Sequence, residues 1–394
     1  MGRLSGGLGL AGLLVAAVLS CRIPGFDQSF GGLTKLWQLH HKLGLSAFIL
    51  LLAHPLLLAF AAAEVSLAAA ADSLFSMQPT VLYGWLALLA LMAFIAPTFH
   101  VFGEPDYQRW KRLHRLAAVV LMFGLLHSLM LGRTLPASWN KLLWGGLGLL
   151  ALSAMAYRWL FSRYYGRYRY RICNVAAVSD NVVELSLQPL QVPLRYRPGQ
   201  FIYLTPFASE LLAGAGEEHP FTLSSAPSEP VLRLAIKTLG DATKALQSIT
   251  PGSDVTVEGP YGCFFRQTEL KTKGLWIAGG IGIVPFLSYL RHCASQHQAA
   301  DVQLIYCVQD EQHLLFAPEL QQLTAVIEGY HFTPHFFSRH GALDLDFITQ
   351  HCSDLRARQV WICGPPPLIL LSRGIVLGAG VTSGDIVTEE FTLL

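Results

Sequence analysis

WQLHHKLGLSAFILLLAHPLLLAF, residues Trp37–Phe60, is an apolar run of membrane length with His40 and His41 at one end and His54 near the other. A second run, RLHRLAAVVLMFGLLHSLML over Arg112–Leu131, repeats the design with His114 and His127. About 20 mostly apolar residues cross bilayer hydrocarbon as a helix, so both runs are candidate spans. Imidazole is poorly solvated there, and an ionisable side chain at that depth points to function with a partner. His40 and His54 are 14 residues apart. At about 3.6 residues per turn and 1.5 Å rise, they share nearly one face, roughly 21 Å apart. Two such helices side by side present two stacked imidazole pairs, each able to hold a haem iron from both sides. A lone buried histidine is usually an interface residue, but two matched pairs point to haem. His114 and His127 are 13 residues apart, which leaves the second ring about 140° off on an ideal helix, so a bulge or tilt must absorb the difference. His41 with His54 has the same defect, which favours His40 as the ligand.

The 394-residue chain has room for two or three domains. It is 52% hydrophobic and only 14% charged, against a usual quarter charged. That deficit falls in the first 160 residues, so the chain reads as half membrane and half soluble. A net charge of +2 says little about partners, and there is no basic stripe of the kind that binds nucleic acid, so no nucleic-acid partner is expected. The seven cysteines (Cys21, Cys173, Cys263, Cys293, Cys307, Cys352, Cys363) form no C-x-x-C or ferredoxin spacing, which argues against an iron–sulfur module or a disulfide framework.

Uncharged windows predict about five spans, near 4–21, 37–62, 80–99, 113–132 and 142–161. Arg158, Arg163, Arg167, Arg169 and Arg171 crowd the end of the last, which marks a cytoplasmic boundary. The 100–112 loop, with Arg109, Lys111 and Arg112, is then also cytoplasmic, and the 63–79 loop, with Glu64 and Asp72, faces out. His40 and His114 fall near the inner face, His54 and His127 nearer the outer one. Met1–Cys21 is read as a span, with a signal peptide as the alternative. Pro55, directly after His54, is placed to kink its helix, and reads equally as an ordinary membrane-helix proline that neighbours accommodate.

From about Tyr170 short alternating strands separated by Gly/Pro turns predict a small antiparallel barrel. After about Lys271, apolar strands alternate with helices, the pattern of a parallel sheet with a nucleotide crevice. Gly279-Gly280-Ile281-Gly282-Ile283-Val284-Pro285 follows a strand and opens a helix, where glycines let the backbone approach a pyrophosphate. Cys363-Gly364-Pro365-Pro366 ends a later strand, at the same carboxyl edge. His219-Pro220-Phe221-Thr222-Leu223-Ser224-Ser225 reads as a rigid, donor-rich turn beside an aromatic, and Gly240-Asp241-Ala242-Thr243 as a second turn with a hydroxyl. Together they suit a flavin's ring and pyrophosphate, though each also reads as an ordinary polar turn.

With these motifs in place, about residues 5–394 resemble the NADPH oxidase / ferric reductase family, prokaryotic type. The carriers are the histidine pairs, His219–Thr222, Gly259-Pro260-Tyr261-Gly262, the turn at 279–285 and Cys363–Pro366. The resemblance implies a multi-domain membrane protein: an all-α transmembrane helical bundle (1–164), a small antiparallel FAD-binding β-barrel (165–268) and an α/β NAD(P)H-binding domain (269–394). It implies FAD, two haem b and NADPH, with NADH as the alternative. Metal ligands would be His40, His54, His114 and His127. Thr222 would bond the flavin ring, Phe221 and His219 shape its pocket with Pro220, and Thr243 meet its phosphates, with Ser225 and Gly240 in the same turns. Gly279, Gly280, Gly282 and Pro285 would hold the nicotinamide cofactor's pyrophosphate. Cys363, Gly364 and Pro365 would border the nicotinamide, and Phe391, after Glu390, would cover the flavin. Thr222, Cys363 and Phe391 are the catalytic candidates.

There are departures from the family pattern. Relatives commonly have six spans, and here one precedes the first histidine helix. Gln309 stands where relatives often carry arginine, while Ser338-Arg339 is placed to receive the 2′-phosphate of NADPH. The implied activity is an NAD(P)H-dependent flavohaem oxidoreductase in the cell membrane with cytoplasmic C-terminal domains. Electrons would pass through FAD and two haems to dioxygen or a ferric chelate outside. The alternative is a haem-bearing subunit relaying electrons to a protein partner or quinone.

Overall fold

The computed structural model describes residues 1–23, 25–96, 107–131, 136–162, 165–208, 211–265 and 273–390. The chain forms two compact units, Met1–Ile23 with Leu33–Tyr164, and Pro24–Gly32 with Tyr165–Leu394.

The first unit is helical: α1 (Gly2–Leu19), α2 (Leu33–Ala63), α3 (Leu67–Phe75), α4 (Pro79–Ile95), α5 (Tyr107–Leu113), a 3₁₀ turn at His114–Leu116, α6 (Ala117–Leu131) and α7 (Ala137–Ala156), which runs into a π turn at Tyr157–Phe161. Leucine and alanine dominate these helices and suit them intrinsically. Leu10, Leu13, Leu14, Ala47, Leu91, Phe94, Val120, Leu121, Trp144 and Ala151 form the shared core, whereas Leu56, Phe60, Leu149 and Leu152 point outward. α1 lies close along α2 because small residues face it. A Cβ at Gly2, Gly6, Gly9 or Gly12 would press on Leu58, His54, Leu51 or Ala47 in turn. α2 continues through Pro55 without interruption.

Among the described residues three helices are long and apolar enough to cross a membrane: α1, α2 and Trp110–Leu131. The pair α3 and α4, bent by 70°, would make a fourth. The expected fifth span, near 142–161, falls on α7 and its π turn. α7 is not in that set; it opens with Trp139, Asn140 and Lys141, which dilute its apolar character.

The second unit holds two sheets. β1 (Arg167–Ser179), β2 (Val182–Pro189), β3 (Phe201–Pro206), β4 (His219–Thr222), β5 (Leu232–Lys237) and β6 (Asp254–Tyr261) pair in the order β4-β3-β6-β1-β2-β5. The sheet is antiparallel and curled, and one bridge, Leu223 to Leu234, links its two edges. The small antiparallel domain expected from the sequence is present as this curled sheet. Ile172, Leu185, Leu187, Ile202, Leu204, Leu234 and Val257 fill its inside. His219–Thr222, expected as a turn, is an edge strand, a position that tolerates Pro220 because no ladder bond is needed outward. A short helix, α8 (Asp241–Leu246), follows β5.

The α/β part runs β7 (Lys273–Gly279), α9 (Val284–Gln296), β8 (Asp301–Val308), α10 (Ala317–Val326), β9 (Tyr330–Phe336), α11 (Phe337–His340), α12 (Leu345–His351), β10 (Gln359–Cys363), α13 (Pro366–Gly378) and β11 (Ile386–Glu389). All five strands are parallel, in the order β11-β10-β7-β8-β9. Their near-continuous apolar runs fit a sheet covered on both faces. β11 had no counterpart in the sequence reading. The expected domain boundary near 268 lies outside the described residues. The segment 24–32 folds with the second unit: buried Asp27 accepts from the Gly262 amide through Oδ2 at 3.0 Å.

Candidate functional site

In the first unit His40 faces His114 with ring centroids 6.1 Å apart, and His54 faces His127 at 6.2 Å. These are the two pairs the spacing predicted, and His41 is exposed. Two imidazoles on opposite sides of one metal, each bonded at about 2 Å, put their centroids roughly 6 Å apart. His40 Nδ1 bonds the Ala16 carbonyl at 2.8 Å, His54 Nδ1 that of Gly2 at 2.7 Å and His127 Nδ1 that of Thr80 at 2.6 Å. A carbonyl can only accept, so each bond puts the ring proton on Nδ1 and leaves Nε2 as the ligating nitrogen, the usual support for a ligating histidine. Among the described residues His114 Nδ1 has no hydrogen-bond partner, and its ring packs against those of Phe94 and Trp110. Gly6 and Gly84 flank the second pair: a Cβ at either would strike the His54 or His127 ring. Among the described residues no group of three or more His, Cys, Asp or Glu could hold a metal. Each pair therefore offers two protein ligands, the number an iron already held in a porphyrin needs, so these residues fit a haem.

The expected 140° mismatch is partly absorbed where His114 opens the 3₁₀ turn. Three residues at about 120° rather than 100° recover roughly 60° of it.

In the second unit the carboxyl ends of β7 and β10 are neighbours, with Cys363 opposite Ala278. Gly364 lies against Gly279, and a Cβ at Gly282 would fall on the Cys363 carbonyl. The two glycine-bearing turns thus pack backbone to backbone, as only glycine allows. Gly280 adopts φ +52° with open space beyond it, and its carbonyl accepts from Tyr306 Oη at 2.8 Å. Pro285 sits in the first turn of α9 and Pro365 caps α13. Bare backbone at a helix N-terminus fits a pyrophosphate.

Next to these turns stands the curled sheet. Thr222, buried at the end of β4, pairs with Phe201, and Phe201, Tyr203 and Tyr261 form an aromatic wall. Phe221 packs on the sheet core, and His219 Nε2 lies 3.2 Å from Glu217. The Ser225 and Thr243 hydroxyls both bond within the protein. Ser225 Oγ accepts from the Arg233 amide and bonds Tyr196 Oη. Thr243 Oγ1 accepts from the Leu239 and Gly240 amides and so caps α8. These residues shape their turns.

Glu389 has no local sequence signature of its own. It pairs with Cys363 across β11 and β10, its Oε1 lies near the position a Gly262 Cβ would take, and its buried Oε2 meets no donor among the described residues. Burial pushes this carboxyl up to about 8, so it is largely protonated at neutral pH. Burial and then Glu389 push the enclosed Cys363 thiol well up, leaving a neutral thiol. Its signal in the sequence was an acidic pair, Glu389-Glu390, of which the strand register selects the first. Phe391 lies outside the described residues. Arg339, on α11, is exposed and pairs with Glu311.

Comparison with known proteins agrees with this layout. Residues 5–125 match the ferric reductase like transmembrane component, 167–264 an FAD-binding domain and 276–373 an oxidoreductase NAD-binding domain. An NADPH oxidoreductase of Mycobacterium tuberculosis is 27% identical over 54% of this chain and 57% of its own length. The toluate 1,2-dioxygenase electron transfer component of Pseudomonas putida is 25% identical over 57% and 67%. The chain thus spans about three-fifths to two-thirds of these relatives. The FAD/NAD-binding domain of a Vibrio cholerae nitric oxide dioxygenase superposes with a TM-score of 0.50 at 22% identity, covering 57% of this chain and 98% of that one. A flavohemoglobin of Malassezia yamatoensis does so with a TM-score of 0.56 at 17% identity, covering 98% and 95%. At these identities the structural likeness concerns the fold alone. A ferric reductase-like transmembrane domain followed by FAD- and NAD-binding oxidoreductase domains is the architecture of NADPH oxidases and ferric reductases.

Proposed function

We propose that this chain is a membrane NAD(P)H-dependent flavohaem oxidoreductase that delivers electrons to an acceptor on the outer face, either dioxygen or a ferric chelate. The observation that carries the reading is the two pairs of opposed imidazoles, at 6.1 Å and 6.2 Å, with three of the four rings tied at Nδ1. His40 with His114 would hold an inner haem b and His54 with His127 an outer one. When bound, FAD exchanges a nicotinamide hydride for single electrons, and haem iron carries electrons one at a time.

The chain's own residues bind, orient and exclude water. Gly279, Gly280, Gly282 and Pro285 would seat the nicotinamide cofactor's pyrophosphate, with Gly364 and Pro365 closing the far side. His219, Pro220, Phe221 and Thr222 would line the flavin, Ser225, Gly240 and Thr243 holding its turns in shape. Thr222, Cys363 and Phe391 would border the reacting rings. Glu389, protonated, can donate a hydrogen bond toward them. Arg339 would meet a 2′-phosphate, which favours NADPH. His40 with His114 and His54 with His127 would hold the haems, which would supply one-electron transfer to the acceptor. The C-terminal domains would be cytoplasmic, where the nicotinamide is.

The test is His54→Leu and His127→Leu in the full-length protein in vesicles. Flavin reduction by NAD(P)H should persist while transfer to an outside acceptor stops. Superoxide dismutase-sensitive and ferrous-chelate assays on wild type identify the acceptor. Unchanged transfer and haem spectrum in both variants would refute the assignment.

A further inference from the structure

α9 begins at the nicotinamide glycine turn, and one of its faces bears Ser288 and Arg291, three residues apart and so adjacent on the helix. Both reach the turn that follows Thr222. Ser288 Oγ donates to the Ser225 carbonyl at 2.7 Å, and Arg291 Nη1 donates to the Ser224 carbonyl at 2.8 Å. Nη1 also donates to Glu184 Oε1 on β2 at 2.9 Å, and that oxygen accepts from Ser224 Oγ at 2.6 Å. On its other side Arg291 binds Glu319 of α10 through Nε and Nη2, each at 2.6 Å. Ser224, Ser225 and Ser288 are fully buried, and the Arg291 side chain is only 6% exposed.

A guanidinium removed from water is costly, and apolar side chains would hold the two sheets together at least as well. What an apolar patch lacks is direction. The guanidinium is a planar fork with fixed donor angles, and here four of its five N–H donors are committed. They fix the rotation and height of α9 against the curled sheet. A 13-residue helix is stiff enough to carry that setting back to Gly280 and Gly282. Burial alone would raise the Glu184 carboxyl, but Arg291 beside it holds it below its usual range, so the pair stays charged.

We propose that Arg291, assisted by Ser288, is a positioning residue that sets the spacing between the flavin turn and the nicotinamide turn for hydride transfer, resting on the flavin and nicotinamide reading above. The step so governed moves two electrons and one proton, as hydride, from the reduced nicotinamide to the oxidised flavin. The nicotinamide is oxidised and the flavin reduced by the same two electrons. Arg291 touches neither ring; it acts through the two turns.

The test uses full-length protein with its FAD, as R291K and S288A, mixed with NADPH or NADH in a stopped-flow spectrometer. R291K keeps the charge and loses the fork. Its limiting rate of flavin reduction should fall roughly ten- to hundredfold, the loss that about 1 Å of misplacement causes. The nicotinamide concentration at half-saturation should stay within about threefold, and the long-wavelength absorbance of stacked nicotinamide and flavin should weaken. S288A removes one neutral donor and should lose rate about threefold with FAD content and melting temperature unchanged. Wild-type rates in both variants would overturn the proposal. A rate loss that merely tracks lost FAD or lowered melting would overturn it too, since that is a structural role. Should R291K fail to fold, S288A alone decides: a wild-type rate there overturns the positioning role. If wild-type protein itself holds no FAD or is not reduced by either nicotinamide, the functional reading fails first, and the proposal with it.

Discussion

Replacing Gly6 by alanine should disturb one haem site without altering any ligand. A Cβ at Gly6 would lie 2.6 Å from His54 Nδ1 and 2.7 Å from Cε1, where ordinary contact begins at 3.4 Å. The ring or α1 must therefore retreat by the difference between 3.4 and 2.6, 0.8 Å. The ring cannot swing away freely, because Nδ1 is bonded to the Gly2 carbonyl at 2.7 Å. Metal–ligand distances tolerate only about ±0.2 Å. Forcing a methyl into a packed site costs about 1–3 kcal/mol, which converts to a roughly 5- to 150-fold loss of affinity at that site. Gly84→Ala approaches the partner ring from the other side, 2.9 Å from His127, and should act in the same direction more mildly. Gly7→Ala is the control, since its Cβ would meet only Trp144 at 3.8 Å and alanine suits a helix better by about 1 kcal/mol. The assay is haem and FAD per chain with a redox titration of the absorbance. G6A should lose or shift one haem and keep the other with full FAD, while G7A matches wild type. Two haems at wild-type occupancy and potential in G6A would refute the packing argument.

Three further outcomes follow from the second unit. Glu389 has its carboxyl raised from 4.5 to about 8, so its contribution to stability is present below pH ~4.5 and lost as pH rises through ~8. Flavin reduction should show an inflection near pH 8 that Glu389→Gln abolishes, and an identical profile in the variant would exclude the assignment. Glu311→Gln removes the carboxylate paired with Arg339; because both are exposed the pair is weak. The KM for NADPH should fall about two- to fivefold with that for NADH unchanged, whereas equal effects on both would speak against a 2′-phosphate contact. Asp27→Ala leaves the buried Gly262 amide without its acceptor, at a cost of about 1–3 kcal/mol. Each of those should lower the melting temperature of the FAD-bearing unit by about 2–4 °C, and unchanged melting would show that the amide finds water.

What was legible in the sequence was what depends on periodicity and local turn chemistry. The 14-residue step put His40 and His54 on one helix face, where each ring meets a ring of the second histidine helix, and glycines after strands located the two turns that pack together at the carboxyl ends of β7 and β10. Alternation located the strands of the curled sheet except β4, whose Pro220 and four-residue length read as a turn. What was not legible depends on contacts far apart in the chain. Glu389 is distinguished from Glu390 only by register with Cys363. The glycines of α1 matter because α2 lies against them, and Arg291 looks like any helix arginine until Glu184, 107 residues away, is beside it. The Ser225 hydroxyl bonds the Arg233 amide, eight residues on, a contact that no local pattern reveals.

The most direct measurement is the absorbance and low-temperature magnetic resonance spectrum of purified full-length protein, with iron, porphyrin and flavin counted per chain. Imidazole pairs that share iron predict two b-type haems and one FAD, both irons low-spin with two axial nitrogens. A preparation that retains its FAD but carries one haem, none, or a high-spin iron with a single axial imidazole would contradict it.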